Sequence, residues 1–197
     1  MDNIDIIDNI YKEILFKKYN LNPQLYCPVM HNIINNHKQN DIHGYIYAGD
    51  INLCNMDLKS LTEFSLLNIV EVIGDFNISH NNLTSLDGCP EIINGDFKCN
   101  SNYLPSLRFG PKNVGFEYSC RNNDIQEITY LLSTLEVYIF DCSLNPIRHF
   151  DVLPIINLKF IHDEGCTFND TNNQFWISKV LNKLKNWFVP SKQQKEF

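Results

Sequence analysis

Apolar side chains return in the same phrase four times along the middle of this chain. Each copy has an aromatic residue, a small apolar residue two positions later, an asparagine three positions after that, and then Leu or Ile. The four copies start at Phe76, Phe97, Tyr118 and Phe140. A weaker copy starts at Ile51, with Met56 in place of the asparagine. Successive starts are separated by 25, 21, 21 and 22 residues, which is typical of a solenoid built from one turn per repeat.

The spacing inside each repeat predicts its local geometry. Two apolar residues two positions apart, such as Phe97 and Cys99, fit a very short strand with both side chains on one face. The asparagines then have a structural role, because a side-chain amide can both donate to and accept from backbone groups of the turn beside it. They are Asn81, Asn102, Asn123 and Asn145. We predict a parallel sheet of five or six short strands, with residues 158–162 as a worn sixth strand.

The segments that join these strands predict an outer side made of loops. Residues 105–115, for example, contain Pro105, Gly110 and Pro111. Proline removes a backbone donor and clashes inside a helix, so such segments leave little room for one.

Amphipathic patterns at both ends of the chain predict two helices. Residues 2–19 place apolar side chains at three- and four-residue spacing, with acidic residues near the start and lysines near the end. Residues 172–188 repeat the spacing and finish with Trp187 and Phe188 before Pro190. Such elements cover the exposed core at the ends of a solenoid. We therefore divide the chain into an N-terminal helical cap (1–44, with 24–44 unassigned), a solenoid (45–165), and a C-terminal helical cap with a basic tail (166–197).

The net charge and the hydropathy of the chain indicate where the protein is located and which classes of partner it can bind. The 197 residues carry a formal net charge of −7, which gives no broad basic face for nucleic acid. The first residues are acidic where a secretory signal would be basic, and no apolar run reaches the length of a membrane span. We expect a cytoplasmic protein.

The cysteines are expected to be free thiols. Seven cysteines are an odd number in a chain without a secretory signal, which argues against a disulfide framework. Cys99, Cys120 and Cys142 share one register of the repeat, where a small buried hydrophobe belongs. We predict that these three thiols stack in the core and react slowly with thiol reagents in the folded protein.

The repeat resembles the leucine-rich repeat, Leu-x-x-Leu-x-Leu-x-x-Asn-x-Leu, with Phe or Tyr in the second Leu position and Cys in the third. Residues 81–90 and 93–99 are more particularly similar to the short repeats in proteins of large tailed bacteriophages. Ile73 and Val137 match the first Leu of the family; Ala48, Asn94 and Gly115 do not, so thin or irregular backs are expected there. The resemblance implies a curved parallel sheet that holds another macromolecule, usually a protein, on its inner face.

Side chains alternate along a strand, so the outward columns of the sheet are predictable. We expect them to bind the partner. The columns contain, in turn, Asp50, Asp75, Asp96 and Glu117; then Asn77, Lys98, Ser119 and Asp141; then Asn100 and Arg121. They are mostly polar, and Trp187 and Phe188 are a further candidate contact if they prove exposed.

The acidic column requires an explanation, because adjacent carboxylates about 4.8 Å apart repel by roughly 1 kcal/mol per pair even in water. In one explanation each Asp follows a glycine and accepts a backbone hydrogen bond at the start of its strand. In the other, a basic partner or a bound cation such as calcium offsets the repulsion. We favour the first explanation, and we predict no cofactor or metal.

These features predict a non-catalytic protein-binding module whose partner carries a basic patch. The resemblance to phage proteins implies that the partner is a host protein, such as a defence or regulatory factor, which the module captures and blocks. One alternative is a nucleic-acid-associated protein acting through Lys179, Lys183 and Lys185. Another is an enzyme centred on His162, Asp163 and Cys166. A metal site is disfavoured, since the spacing of Cys27, His31, His37 and His43 lacks the tight ligand pairs of zinc sites.

Overall fold

The computed structural model describes residues 3–28, 44–128, 135–150, 155–161 and 167–168. Helix α1 spans Asn3–Lys18, and two 3-10 helices span Pro23–Leu25 and Phe64–Leu67. The strands are β1 Tyr26–Pro28, β2 Tyr45–Tyr47, β3 Ile51–Asn52, β4 Ile69–Val72, β5 Phe76–Asn77, β6 Ile92–Ile93, β7 Phe97–Lys98, β8 Asn113–Val114, β9 Glu117–Ser119, β10 Glu127–Ile128, β11 Glu136–Asp141, β12 His149–Phe150, β13 Ile155–Ile161 and β14 Thr167–Phe168.

The repeats form a β-solenoid whose main surface is a six-stranded parallel sheet, which we call the front sheet. Its strand order is β13-β11-β9-β7-β5-β3. One register line joins the first residues of the repeats, which are aromatic in all but the first: Ile51, Phe76, Phe97, Tyr118, Phe140 and Phe160. The predicted parallel sheet of five or six strands is confirmed, and the sixth strand is β13.

A second sheet, which we call the back sheet, has strand order β1-β2-β4-β6-β8, and a short corner of two or three residues joins β4, β6 and β8 to β5, β7 and β9 of the front sheet. All of its pairs are parallel except β1 with β2. A further three-stranded sheet joins β10, β12 and β14. The outer side was expected to be loops. Between residues 44 and 128 no α-helix forms there, as predicted, but short strands replace part of the loops.

The back sheet corrects the position assigned to the first Leu of the repeat. The inward side chains come one residue earlier than expected: Tyr47, Val72, Ile93 and Val114. Val72 is fully buried, whereas Ile73 is 50% exposed. The backs of these repeats are therefore filled, and the extra residue goes into the corner between the two sheets. Val137 is buried as predicted; it lies in β11, which spans this corner as a single strand and shifts its register against β13 between Val137 and Ile139.

The core is a continuous stack with one large ring per turn. Ring centroids lie 5.6 Å apart between Phe64 and Phe76, and 6.0 Å apart between Phe76 and Phe97. The stack continues through Tyr118 to Phe140 at 4.9 Å and 5.6 Å. Each ring is buried against the turns before and after it, so neighbouring turns stabilise one another. The cysteines predicted to stack beside these rings, Cys99, Cys120 and Cys142, are fully buried.

The asparagine column forms a buried hydrogen-bonded ladder, which confirms its predicted structural role. Asn102 Nδ2 donates to the carbonyls of Ile78, at 3.0 Å, and Cys99, at 3.2 Å. Its Oδ1 accepts from the Leu83 amide at 3.0 Å. Each such amide joins its own turn to the one before. The residue just before each asparagine, or the equivalent in the first turn, has positive φ: Asn55, His80, Ser101, Asn122 and Leu144.

A helix is present where the N-terminal pattern predicted it. Leu15, Phe16 and Tyr19 are buried, and the Tyr19 ring meets Phe64 edge-on at 5.5 Å. Lys18 forms an ion pair with Glu63 beside this contact. The predicted helix over residues 172–188 lies outside the described residues, so the arrangement with two caps stays a prediction.

Candidate functional site

The front sheet places the predicted outward columns side by side. Register pairs Asn52 with Asn77, Asn77 with Lys98, and Lys98 with Ser119. Asp141 continues the same line on β11. These residues come together because the strands are parallel and in register. Lys98 and Asp141 are partly exposed, whereas Ser119 is only 3% exposed.

Several outward side chains hydrogen-bond to a neighbouring side chain or to a nearby backbone amide. Ser119 Oγ donates to Asn100 Oδ1 at 2.8 Å, and the same oxygen accepts from the Arg121 amide at 2.8 Å. Asn77 Oδ1 accepts from the Ser79 amide at 3.0 Å, and Asp141 Oδ1 accepts from the Ser143 amide at the same distance. These bonds hold the outward groups in fixed positions, so the face is preorganised for binding.

The acidic column forms a second ladder. Asp50 Oδ1 accepts from the Asp75 amide at 2.9 Å, Asp75 Oδ1 from the Asp96 amide at 2.8 Å, and Asp96 Oδ1 from the Glu117 amide at 3.2 Å. The backbone hydrogen bonds proposed from the sequence are therefore present. The attraction between each amide and the carboxylate that it donates to offsets part of the repulsion along the column.

Two of the glycines that precede ladder carboxylates, Gly74 and Gly95, are required by space. A Cβ atom on Gly95 would lie 2.3 Å from Asp75 Oδ1 and 2.8 Å from the carbonyl carbon of Gly74. A Cβ on Gly74 would meet Asp50 and Gly49 in the same way. Glycine lets each turn approach its predecessor closely enough for the carboxylate to reach the next amide.

The front face is acidic overall, and one of its cations is engaged. Lys98 Nζ lies 2.9 Å from Asp96 Oδ2, and this hydrogen bond raises the pKa of Lys98. Partial burial raises the pKa of Glu117, and Lys98 opposes that change. The outward columns carry five carboxylates against two cations. The carboxylates are Asp50, Asp75, Asp96, Glu117 and Asp141, and the cations are Lys98 and Arg121.

A feature that the sequence reasoning missed lies at the corner beside the acidic ladder. Backbone hydrogen bonds run in one column from Gly95 to Gly74 at 2.9 Å, from Phe116 to Gly95 at 3.3 Å, and from Tyr138 to Phe116 at 2.9 Å. In the two later turns, aromatic residues thus occupy the position that glycine occupies in the earlier turns. Their rings stack with centroids 5.4 Å apart and an interplanar angle of 27°, and the residues are 45% and 48% exposed.

We call Phe116 and Tyr138 the corner aromatics. Aligning the repeats on their strand starts would have found them, because the residue two positions before each start is glycine in three turns and aromatic in the last two. The columns derived from the sequence are mostly polar, and they do not include these two corner positions.

A shallow polar depression lies on another side of the solenoid. It is lined by Asn81, Ser101, Asn102, Tyr103, Asn122, Asn123 and Asp124. The amides of Asn102 and Asn123 are committed to the ladder inside the turns. Within the described part of the chain, no group of three or more His, Cys, Asp or Glu side chains is placed to hold a metal ion.

Other predicted candidates fall where the structure gives no description. The described residues exclude Trp187, Phe188, the lysines 179, 183 and 185, and the proposed enzyme residues His162, Asp163 and Cys166. They also exclude His31, His37, His43 and the side chain of Cys27. A search of the described helices finds none that is long and apolar enough to cross a membrane.

Comparison with protein-family models, with characterised proteins and with solved structures finds no match for this chain. The functional assignment therefore rests on the residues and geometry of the front face and its corner.

Proposed function

We propose that the protein is a non-catalytic protein-binding module that uses the front face of its solenoid. The observation that carries this proposal is the in-register display of outward side chains across adjacent parallel strands from β3 to β11. The inward side chains are buried in the core or hydrogen-bonded in the asparagine ladder. The outward side chains are therefore the ones that can contact a partner. Regular solenoid faces of this kind suit the recognition of extended macromolecular surfaces.

The charge of the face sets the chemistry of the partner. Five carboxylates and two cations favour a partner with a basic patch, which would be steered to this surface by long-range attraction. We further propose that the solenoid is of the leucine-rich-repeat type and is closed by helical caps at both ends. In keeping with the phage-like resemblance, its use would be to cover a host protein, such as a defence or regulatory factor, in the host cytoplasm and so block it.

The acidic ladder allows charge and fold to be separated in a test. Replacing Asp75 and Asp96 by Asn keeps an oxygen that can accept the next amide, while it removes two charges. This double substitution is the face variant, and it lowers the negative charge of the front face by two. A matched control carries Asp87→Asn and Asp124→Asn, which make the same change in net charge at exposed residues away from the front sheet.

The test is quantitative capture from host-cell extract, followed by mass spectrometry and a binding titration with the purified partner. We expect wild type and control variant to retain the same partner at one-to-one stoichiometry, and the face variant to bind it at least about tenfold more weakly. The partner should keep an unmodified mass, since a binder inhibits only near equimolar amounts.

Equal binding by the face variant and the control would contradict the use of the front face. If Trp187→Ala with Phe188→Ala abolished binding while the face variant kept it, the C-terminal segment would be the interface instead. A lasting covalent change in the partner at substoichiometric amounts of this protein would replace the binding proposal with catalysis.

A further inference from the structure

We infer that the corner aromatics and Glu117 form a binding site for an arginine side chain on the protein partner. This inference rests on the proposed function and identifies the chemical group that one part of the face recognises. A guanidinium is planar and weakly hydrated, and it can stack on an aromatic ring while donating to a carboxylate.

The rings are available for such a contact. Both corner aromatics are close to half exposed, and they stack on each other in adjacent turns. A cation over an aromatic face within about 6 Å of its centroid is attracted by the ring quadrupole. The same contact occurs elsewhere in this chain, where the Arg108 guanidinium lies 4.6 Å from the centroid of Phe109.

The corner does not need these rings in order to close. Three earlier turns have Gly49, Gly74 or Gly95 at the same position, and the backbone hydrogen bond to the preceding turn forms both at Gly95, at 2.9 Å, and at Phe116, at 3.3 Å. The two aromatic side chains are therefore additions to a corner that closes without them. Their exposed apolar area costs solubility, and binding a partner would offset that cost.

Glu117 supplies the anionic part of the site. It follows Phe116 directly, and it pairs in the sheet with Ile139, which follows Tyr138. Glu117 is partly buried, and Lys98, the cation that acts on it most strongly, already has Asp96 as its hydrogen-bond partner at 2.9 Å. A partly desolvated carboxylate gains more from an arriving cation than an exposed one does.

Charge complementarity selects the occupant. The acidic ladder leads along the same edge to the corner aromatics, so a cationic group is favoured there over a neutral or acidic one. A second copy of this chain would bring its own acidic face against this one. Arginine is preferred to lysine because its flat guanidinium can use both the ring and the carboxylate.

The probe for this site is the capped peptide Ac-Arg-Gly-Arg-NH2, with the citrulline peptide of the same length as its neutral counterpart. Titration of the isotope-labelled full chain by NMR should move the amide signals of residues 116, 117, 138 and 139 with the arginine peptide only. Phe116→Leu with Tyr138→Leu keeps apolar area but removes the rings, and it should weaken peptide binding by about threefold to thirtyfold.

Two further variants complete the design. Glu117→Gln should weaken binding by a similar factor, and the effect should shrink as salt is raised. Tyr103→Ala removes an exposed aromatic residue on another side of the solenoid and should leave the affinity unchanged. Circular dichroism and thermal unfolding establish that each variant is folded.

Equal binding of the arginine and citrulline peptides, or unchanged affinity in the leucine variant, would overturn the inference. So would a concentration-dependent dimer that this variant abolishes, since a second copy would then occupy the site. If the arginine peptide fails while capture still depends on the front face, only this inference falls. If the peptide binds as expected while capture ignores the front face, the proposed function falls instead.

Discussion

The early and late turns of the solenoid share an interior but differ at the corner. In the early turns the corner residue is Gly49, Gly74 or Gly95, and each front strand is only two residues long. In the late turns the corner residue is Phe116 or Tyr138, and β11 extends over six residues. Buried residues pack against the turns on both sides, so the same residue types recur there from turn to turn. The corner residue faces solvent, so its type can differ between turns and it can take another role.

The interior side of this comparison gives the largest expected effect. Asn102→Ala leaves the Leu83 amide without its acceptor, and it removes one of the two asparagine donors to each of the Ile78 and Cys99 carbonyls, which keep Asn81 and Asn123. A buried group left without a partner costs about 1–3 kcal/mol and each further hydrogen bond lost about 0.5–1.5 kcal/mol, so we expect the free energy of unfolding to fall by about 3 kcal/mol. Urea denaturation followed by circular dichroism measures this loss.

Asn113→Ala provides the control for that measurement. Asn113 is exposed on β8 and should change the free energy of unfolding by less than about 0.5 kcal/mol. Similar losses in the two variants would mean that the asparagine ladder does not hold the turns together.

The part of the fold that the sequence predicts well is the part that repeats. Phe97, Cys99 and Asn102 recur at fixed spacing because every turn meets the same neighbours, so the front sheet, the buried thiols and the ladder follow from the pattern. The back sheet was placed one residue late, at Ile73 instead of Val72. A corner adds one residue without any apolar signal, so a periodic pattern alone does not fix the register beyond it.

The candidate site was predicted only in part, for a related reason. The outward positions of Asp75 and Lys98 follow from the alternation of side chains along a strand. Phe116 and Tyr138 lie at a repeat position that is glycine in the three earlier turns. A consensus of the repeats therefore predicts glycine there and does not identify the two aromatic residues. Their proximity depends on the corner geometry, which sets them in adjacent turns with stacked rings.

A substitution at the corner should give the second largest loss of stability. Gly95→Ala would force a Cβ atom against Asp75 Oδ1 and the backbone of Gly74. Overpacking of this kind costs about 1–3 kcal/mol, and we expect a loss near 2 kcal/mol in urea denaturation. Phe116→Ala, at the same column position in a later turn, should cost less than Gly95→Ala. The reverse order would show that the rings are structural parts of the corner.

The buried thiols should make the free energy of unfolding depend on pH, and we expect an effect of intermediate size. Burial raises the pKa of Cys99 and Cys120, so the folded state keeps protons that the unfolded chain releases above about pH 8.5. Stability should therefore fall as pH rises beyond that value, by about 1.4 kcal/mol per pH unit for each such thiol. Burial also raises the pKa of Tyr118, which adds to the slope above about pH 10.

Urea denaturation at pH 8, 9 and 10 measures this slope. Cys120→Ala should lower it by the contribution of one thiol, although the variant starts from a lower stability because a buried side chain is truncated. Cys54→Ala removes a partly exposed thiol and is the matched control. A wild-type slope that stays flat to pH 10 would mean that the thiols are not sequestered.

The smallest expected effect concerns Leu144, which the last described turn places where earlier turns have Asn55, His80, Ser101 or Asn122. All five residues have positive φ, and for Leu144 it is 55°. Left-handed geometry costs a residue with a bulky side chain about 1–2 kcal/mol and is easier for asparagine. Leu144 is also 51% exposed, so its side chain regains little through burial.

Leu144→Asn should stabilise the fold by about 0.5–1 kcal/mol, seen as a higher urea midpoint with an unchanged denaturant slope. Asn122→Leu, the reverse change in the preceding turn, should destabilise by a similar amount. If Leu144→Asn stabilises the fold but weakens partner binding, the late end of the front face keeps a strained apolar residue for recognition; unchanged binding would restrict the interface to the columns nearer the corner.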